Sequence, residues 1–361
     1  MRACAVHQFV AALSPGDAIG NEACVFRSLL RARGHESEIF AAAIAPEIID
    51  QALLISEFSS NSRANDTVLI FHFSIGTPAA EFVLGRSEPL LLRYHNVTPY
   101  EFFLGFNPQL VSRCYHGARS LSVLADRSAL GVPVSEFNRR DLEVAGFRNT
   151  TVIPLAMDVA ALDEAPDPLV PFRYRDGRKN LLFVGRLAPN KRIEDLIRVF
   201  CAYQRYVEPL SRLLVVGDGR GFENYTRRLE EMVSHLRLDE VVFTGAVSQR
   251  ELNAYYQASD AFLCLSEHEG YGAPLVEAMH FGLPVVAYDA GALKETLQGG
   301  GILLQEKSPH TVAELLGLLM SDATFRGAIL KTQTDALARI RSVDIGERLE
   351  TAVQTVAAGS L

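Results

Sequence analysis

Short apolar, β-branched runs alternate with helix-length amphipathic stretches along almost the whole of this 361-residue chain. That alternation is the pattern of parallel α/β sheets, whose strands are buried on both faces and joined by crossover helices. In the first half, strands are expected over residues 3–9, 37–41, 67–73, 90–95, 121–125 and 151–154, with a helix over 21–33 ended by Gly34. In the second half, strands are expected over 180–184, 212–216, 241–244, 261–265, 284–287 and 301–304. Helices over 193–207, 222–235 and 249–258 fit between them, and 321–356 reads as helical. The proline-rich stretch 165–171 breaks both periods and reads as a linker. The length suits two domains. The expected organisation is an N-terminal Rossmann-like domain over 1–165, a C-terminal one over 172–335, and a last helix over 336–361 returning to the first domain. Ligands of such sheets bind at the C-terminal strand edges, here expected to line one shared cleft.

The bulk numbers exclude several classes. A formal net charge of −8 without a basic block gives no support to nucleic-acid binding. No apolar run is long enough to span a bilayer, and no extended apolar segment follows Met1 to suggest a signal peptide. Five scattered cysteines, an odd number, argue against a disulfide framework. A cytoplasmic protein is expected, with room for peripheral contact at the inner face of a membrane.

Function is most visible in the stretch from Ser266 to Met279, Ser-Glu-His-Glu-Gly-Tyr-Gly-Ala-Pro-Leu-Val-Glu-Ala-Met. It follows an apolar strand, and Pro274 marks a helix start. The unpaired N–H groups and positive dipole end of such a start suit a phosphate. Glu269 in the loop and Glu277 in the helix cannot share one helical face, but both can reach one crevice. Phosphates would repel carboxylates, so the pair is better suited to accept hydrogen bonds from hydroxyls, as a sugar offers.

Arg186 and Lys191 follow another strand and could neutralise a departing diphosphate, with Lys191 preferred over Arg192. Around Gly217, the alternate glycines of Gly217-Asp218-Gly219 form a tight turn rather than a dinucleotide fingerprint. Gly16 and Gly20 border a loop before a helix, where backbone can approach a ligand closely, or where Asn21 can cap the helix. His72 and His95 end two expected strands; either could donate to a sugar hydroxyl or a leaving oxygen, and neither has metal-ligand spacing to another side chain. The aromatic stretch from Tyr100 to Phe106 suggests loop packing, with acceptor or membrane contact as the alternative.

Together these pieces resemble retaining nucleotide-sugar glycosyltransferases of the GT-B fold, glycosyltransferase family 4 (glycosyl transferases group 1). The resemblance runs from about residue 180 to 304 and rests on Phe183-Val184-Gly185-Arg186-Leu187 with Lys191, on Val216-Gly217-Asp218-Gly219, on Phe243-Thr244-Gly245, on Glu269 and Glu277 at E-x7-E spacing, and on Gly282-Leu283-Pro284 with Glu295. It implies that Arg186 and Lys191 hold the donor diphosphate, Glu269 the transferred sugar and Glu277 the ribose. It further implies that the backbone of Gly270, Tyr271, Gly272 and Ala273 closes on sugar and phosphate, and that around Phe243 on the base. Gly185 and Gly217 would line the same donor site, and Gly16 and Gly20 of the first domain's glycine loop would lie beside the donor phosphates. His95 would join Glu269, Arg186 and Lys191 as a catalytic residue, and the first domain would take a saccharide or lipid-linked acceptor. The first half departs from the commoner pattern at Gly16–Gly20 and at Ile153–Asp158. The implied chemistry is hexosyl transfer with retention in surface polysaccharide or glycoconjugate synthesis. No cofactor is expected, and no Asp-x-Asp metal motif is present. A nucleotide-sugar epimerase and a non-catalytic nucleotide-sugar-binding subunit remain the alternatives.

Overall fold

In a computed structural model, which describes residues 4–59 and 67–359, the apolar runs form two separate parallel sheets of six strands each. The expected start of the first strand at Ala3 lies outside the described residues. Two units divide the chain: Met1–Glu101 with Gln109–Asp158 and Val343–Leu361, and Phe102–Pro108 with Val159–Ser342. The chain thus passes into the second unit at Val159, and residues 165–171 belong to that unit. Asp167 N–H donates to Arg250 O there, and Arg250 Nε to Ala165 O.

The first unit is built from β1 (Ala5–Val10), β2 (Ile39–Ala41), β3 (Leu53–Leu54), β4 (Thr67–Phe73), β5 (Leu90–Tyr94) and β6 (Leu130–Pro133), in the order β3-β2-β1-β4-β5-β6. Side chains alternate between the two faces. Val6, Val68, Ile70, Leu91, Leu130 and Val132 face one way, onto Phe26 and Leu30 of helix Ala18–Ala32 and onto Leu349, Val353 and Val356 of helix Ile345–Ala357. Phe9 and Phe40 stack on the opposite face. Two expected strands of this half are not strands: 121–125 is part of helix Pro108–Arg127, and 151–154 runs beside β6 as irregular chain, with Thr151 N–H and Ile153 N–H donating to Gly131 O and Pro133 O after an isolated bridge from Thr150 to Gly131.

The second unit contains β7 (Lys179–Val184), β8 (Ser211–Val216), β9 (Val241–Gly245), β10 (Ala261–Cys264), β11 (Val285–Tyr288) and β12 (Ile302–Leu304), in the order β12-β11-β10-β7-β8-β9. The chain winds outward from β7 through β9, then returns beside β7 as β10. Successive loops therefore diverge between β7 and β10, leaving a crevice at their C-terminal ends. The same reversal lies between β1 and β4 in the first unit.

Candidate functional site

The loops that follow β7 and β10 carry the chemical groups of the second unit, and strand order makes them neighbours. Leaving β7, Gly185 lies against Gly217 at the end of β8. A Cβ on Gly217, whose φ is +147°, would sit 2.0 Å from Gly185 O, so a side chain there would prevent the strand ends from meeting. Arg186 then turns outward; its guanidinium lies 5.1 Å from the Phe222 ring and donates to Arg220 O at 3.1 Å. A single 3-10 turn, Pro189–Lys191, follows. Within it, Asn190 O accepts from Glu267 N–H at 2.9 Å and Asn190 Nδ2 donates to His268 O at 3.2 Å. One loop is thereby fastened to the other.

That fastening brings Lys191 and Glu269 together. Lys191 Nζ donates to both carboxylate oxygens, at 2.6 and 2.7 Å, with the side chains 21% and 12% exposed. Charge-assisted bonds of this kind are the strong ones, and partial burial strengthens them further. Arg192 instead faces the acidic side chains of Glu194, Asp195 and Glu267. His268 lies beside Phe102, and burial drives its imidazole down to about 4, with Glu269 opposing and Lys191 reinforcing the shift. The imidazole is neutral at physiological pH.

Beyond Glu269 the backbone is braced from the next loop. Ala292 N–H donates to Glu269 O at 2.9 Å, and a Cβ on Gly291 would lie 2.3 Å from that oxygen. Thr296 Oγ1 donates to Tyr271 O. Gly272, with φ +88°, precedes helix Ala273–His280 and packs under Leu293. Glu277, half-buried on that helix, accepts from the buried Tyr256 hydroxyl at 2.7 Å, and burial raises its carboxyl above the usual range. Phe243 sits in the outermost strand β9, paired with Val215. Tyr256, Asn190, Gly291 and Thr296 escaped the sequence reading; their signal is weak, because each acts on backbone or on another side chain.

The first unit gathers its own cluster. Gln8 on β1, His72 on β4, and Arg93 and His95 at the end of β5 share the parity of the core-facing Val6, Ile70 and Leu91. They lie under helix Ala18–Ala32, which supplies Glu22 from its buried face. Arg93 is wholly buried and grips Glu22 through Nε at 2.9 Å and Nη2 at 2.7 Å. Its Nη1 donates to Ile153 O at 2.6 Å, and Ala156 N–H adds a bond of 2.7 Å to Glu22. His72 Nδ1 and His95 Nε2 are 3.0 Å apart, and Glu22 Oε2 lies 3.8 and 3.4 Å from them. Although sequence spacing suggests no metal-ligand grouping for these histidines, the fold brings Glu22, His72 and His95 within 4.8 Å of one another. Glu22 and Arg93 were missed too. Their signal was legible: charged residues standing at core-facing positions of an apolar helix and strand.

The helix entry near Gly16 is capped by Asp17, whose Oδ2 accepts from Gly20 N–H at 2.9 Å, while Asn21 lies inside the helix. Gly16, at φ +74°, has open space above it. Gly20 packs on Leu13. The aromatic stretch divides: Tyr100 meets Tyr115 in the first unit, while Phe103 packs on Phe222 and Phe106 on Tyr225 in the second. Leu104 stays exposed. Among the described residues, no helix is long and apolar enough to cross a membrane.

Residues 171–334 match the family model described as glycosyl transferases group 1. Among curated proteins, an uncharacterized glycosyltransferase of Methanocaldococcus jannaschii is 33% identical over 159 residues, covering 43% of this chain and 39% of that protein. A GDP-mannose-dependent alpha-mannosyltransferase of Mycolicibacterium smegmatis is 36% identical over 178 residues, covering 49% and 40%. A D-inositol 3-phosphate glycosyltransferase of Kineococcus radiotolerans is 28% identical over 232 residues, covering 59% and 53%. The chain spans about half or less of the length of these relatives. Among solved structures, HepE of Anabaena in complex with UDP and glucose superposes with a TM-score of 0.75 at 19% identity, over 98% of this chain and 100% of that one. Sucrose-phosphate synthase of Thermosynechococcus elongatus gives 0.77 at 16% identity, over 99% and 100%. At those identities the likeness shows the fold, which is GT-B.

Proposed function

We propose, for a chain that carries a glycosyl transferases group 1 domain on a GT-B fold, that it transfers a hexose from a nucleoside diphosphate sugar to a saccharide or lipid-linked acceptor. The observation that carries this reading is the Lys191–Glu269 pair at the strand-order reversal of the second sheet, within the matched segment. A diphosphate entering there would draw Lys191 away from Glu269. The freed carboxylate could then accept from hydroxyls of the sugar, while Arg186 and the start of helix Ala273–His280 add positive potential for the departing diphosphate. Retention fits a front-face route in which a diphosphate oxygen takes the acceptor proton as it leaves, and this route asks for no protein base. Charge neutralisation by Arg186 and Lys191 is likewise compatible with a metal-independent reaction. Surface polysaccharide or glycoconjugate synthesis at the inner membrane face is the setting we infer for it.

The test is a thermal-shift comparison of UDP, GDP and ADP, followed by transfer assays with the matching hexose donors. Free ligand at 100 times its Kd adds about 2.7 kcal/mol to stability, well within reach of the measurement. A product with the donor's anomeric configuration is expected. Donor epimerised in the absence of acceptor, or tight binding without turnover on a broad acceptor panel, would overturn the reading.

Glu277 supplies a separate test. As a ribose reader it should contribute a charge-assisted bond, worth about 1.5–3 kcal/mol, so Glu277→Gln is expected to weaken nucleotide binding roughly tenfold to a hundredfold. The same change should stabilise the protein. A carboxyl held above its unfolded value contributes stability that is present below the unfolded pKa and lost as pH rises through the folded one. Glutamine has no such penalty and can still accept from Tyr256. The variant's Tm should therefore exceed that of the parent at neutral pH, by about 2–4 °C per kcal/mol gained, with the gap closing in acid. A constant gap from acid to neutral pH would show that ionisation of Glu277 is not its source.

A further inference from the structure

We propose that Arg192 is a positioning residue. Its left-handed backbone, clamped by three carboxylates and Lys307, aims Lys191 into the crevice of the second unit, and the Arg192 cation itself holds no ligand. The starting observation is the backbone. Arg192 has φ +52° and ψ +47°, a region that L side chains rarely adopt. Among the described residues, Asn96, Arg237 and Gln298 are the other non-glycine positions with positive φ. Asparagine tolerates that region, and Arg237 and Gln298 follow helix ends, where a left-handed residue is usual. Arg192 stands instead at a helix start, directly before Ile193–Tyr206, where an extended residue is usual. Helix Ala273–His280 also opens from a left-handed residue, but there the residue is Gly272, which has no Cβ to oppose it.

An unfavourable conformation persists only where its surroundings fix it, and here several elements do so. Arg192 offers the helix no side-chain cap. The buried Tyr225 hydroxyl takes that place, accepting from Ile193 N–H at 3.1 Å and donating to Glu194. The Arg192 guanidinium lies 3.1 Å from Glu194, 3.2 Å from Glu267 and 3.6 Å from Asp195. Lys307, on the loop after β12, bonds Asp195 at 2.8 Å and Glu267 at 2.7 Å, and its ammonium lies over the Tyr288 ring. The clamp therefore joins the loops after β7, β10 and β12. Two adjacent cations point apart as a result: Lys191 reaches Glu269, whereas Arg192 turns to the acids. A right-handed or extended residue 192 would swing Lys191 away from Glu269.

The ligand rests on the transferase reading; the turn does not. The test takes the full-length protein, the Kd of whichever of UDP, GDP and ADP raises Tm, and kcat/KM with the matching hexose donor. Arg192→Gly removes the charge but favours the turn, and the acids stay matched by Lys307 and Arg198. It should bind and turn over like the parent. Arg192→Val brings a β-branched side chain that the left-handed region excludes. Its kcat/KM should fall by up to about 10²-fold, the scale of a group misplaced by roughly 1 Å, and nucleoside diphosphate binding should weaken with it. In the Lys191→Ala background the same change should add little to either loss, because it acts through the missing ammonium. A merely structural role would add in full. If Arg192→Val does not fold, Lys307→Met loosens the clamp from outside the crevice with the same expectation, and Lys307→Arg should restore binding. Arg192→Gly weakening binding as much as Lys191→Ala, at an unchanged Tm, would show that the guanidinium holds the ligand and overturn the proposal. Parent-like binding after the clamp is broken, or additive losses, would overturn it too. If no nucleoside diphosphate binds the parent, the transferase reading fails and takes this role of Arg192 with it. If the parent binds and only Lys191→Ala weakens binding, the positioning role fails alone.

Discussion

Arg93→Ala is expected to lower the stability of the first unit by about 3–5 kcal/mol, the range for removing one partner of a buried ion pair. The cost comes from what is left behind. Glu22 would remain buried with its charge opposed by nothing nearer than Ala156 N–H, and Ile153 O would lose the donor 2.6 Å away. Urea unfolding should show the midpoint fall while the slope stays constant. The control is Arg93→Met combined with Glu22→Leu, which removes both charges and should recover much of the loss. If the double variant were no more stable than Arg93→Ala, the penalty would lie in packing rather than in the orphaned carboxylate.

Lys191→Ala and Glu269→Gln are each expected to lower kcat/KM for sugar transfer by about 10²–10³-fold, the scale of losing one electrostatic contact to a transition state. The two residues are bonded to each other, so their effects should not add, and the double variant should be well short of the product of the singles. The mechanism also predicts a division between constants. Lys191→Ala should weaken binding of the bare nucleoside diphosphate, whereas Glu269→Gln should leave that binding close to normal and act on turnover. Near-normal transfer by both single variants would remove the second unit's crevice from consideration as the donor site.

The legible parts of this fold are those in which one physical constraint acts alone. The inner strands β7, β8 and β10 of the second sheet are short apolar runs buried on both faces, so their positions could be read to within a residue or two. The first half misled where constraints overlap. Leu121–Ala125 is apolar enough for a strand, but the buried residues around it, Cys114, Gly117, Leu121 and Leu124, recur at helical spacing. The real strand β6 is masked by its own Gly131 and Pro133; a proline is tolerated there because β6 lies at the sheet edge. Lys191 and Glu269 could be singled out from their loops, yet their direct bond depends on β10 lying beside β7, and strand order is not written in local sequence. Glu22 and Arg93 stand out singly as charges at core-facing positions, but their pairing was hidden. It joins residues 71 positions apart whose charges cancel only once the helix lies on the sheet.

Helix Ile345–Ala357 places Leu349, Val353 and Val356 in the same apolar cluster as Val6 and Phe26. During synthesis the second unit can therefore complete its sheet while the first still lacks part of its core. The strands of the first unit must wait, partly uncovered, for a helix made only after the whole second unit. Domains commonly fold in the order in which they are made. Of the two units, the one begun first would be finished last, and the interval would be a period of exposure to chaperones, proteases and aggregation.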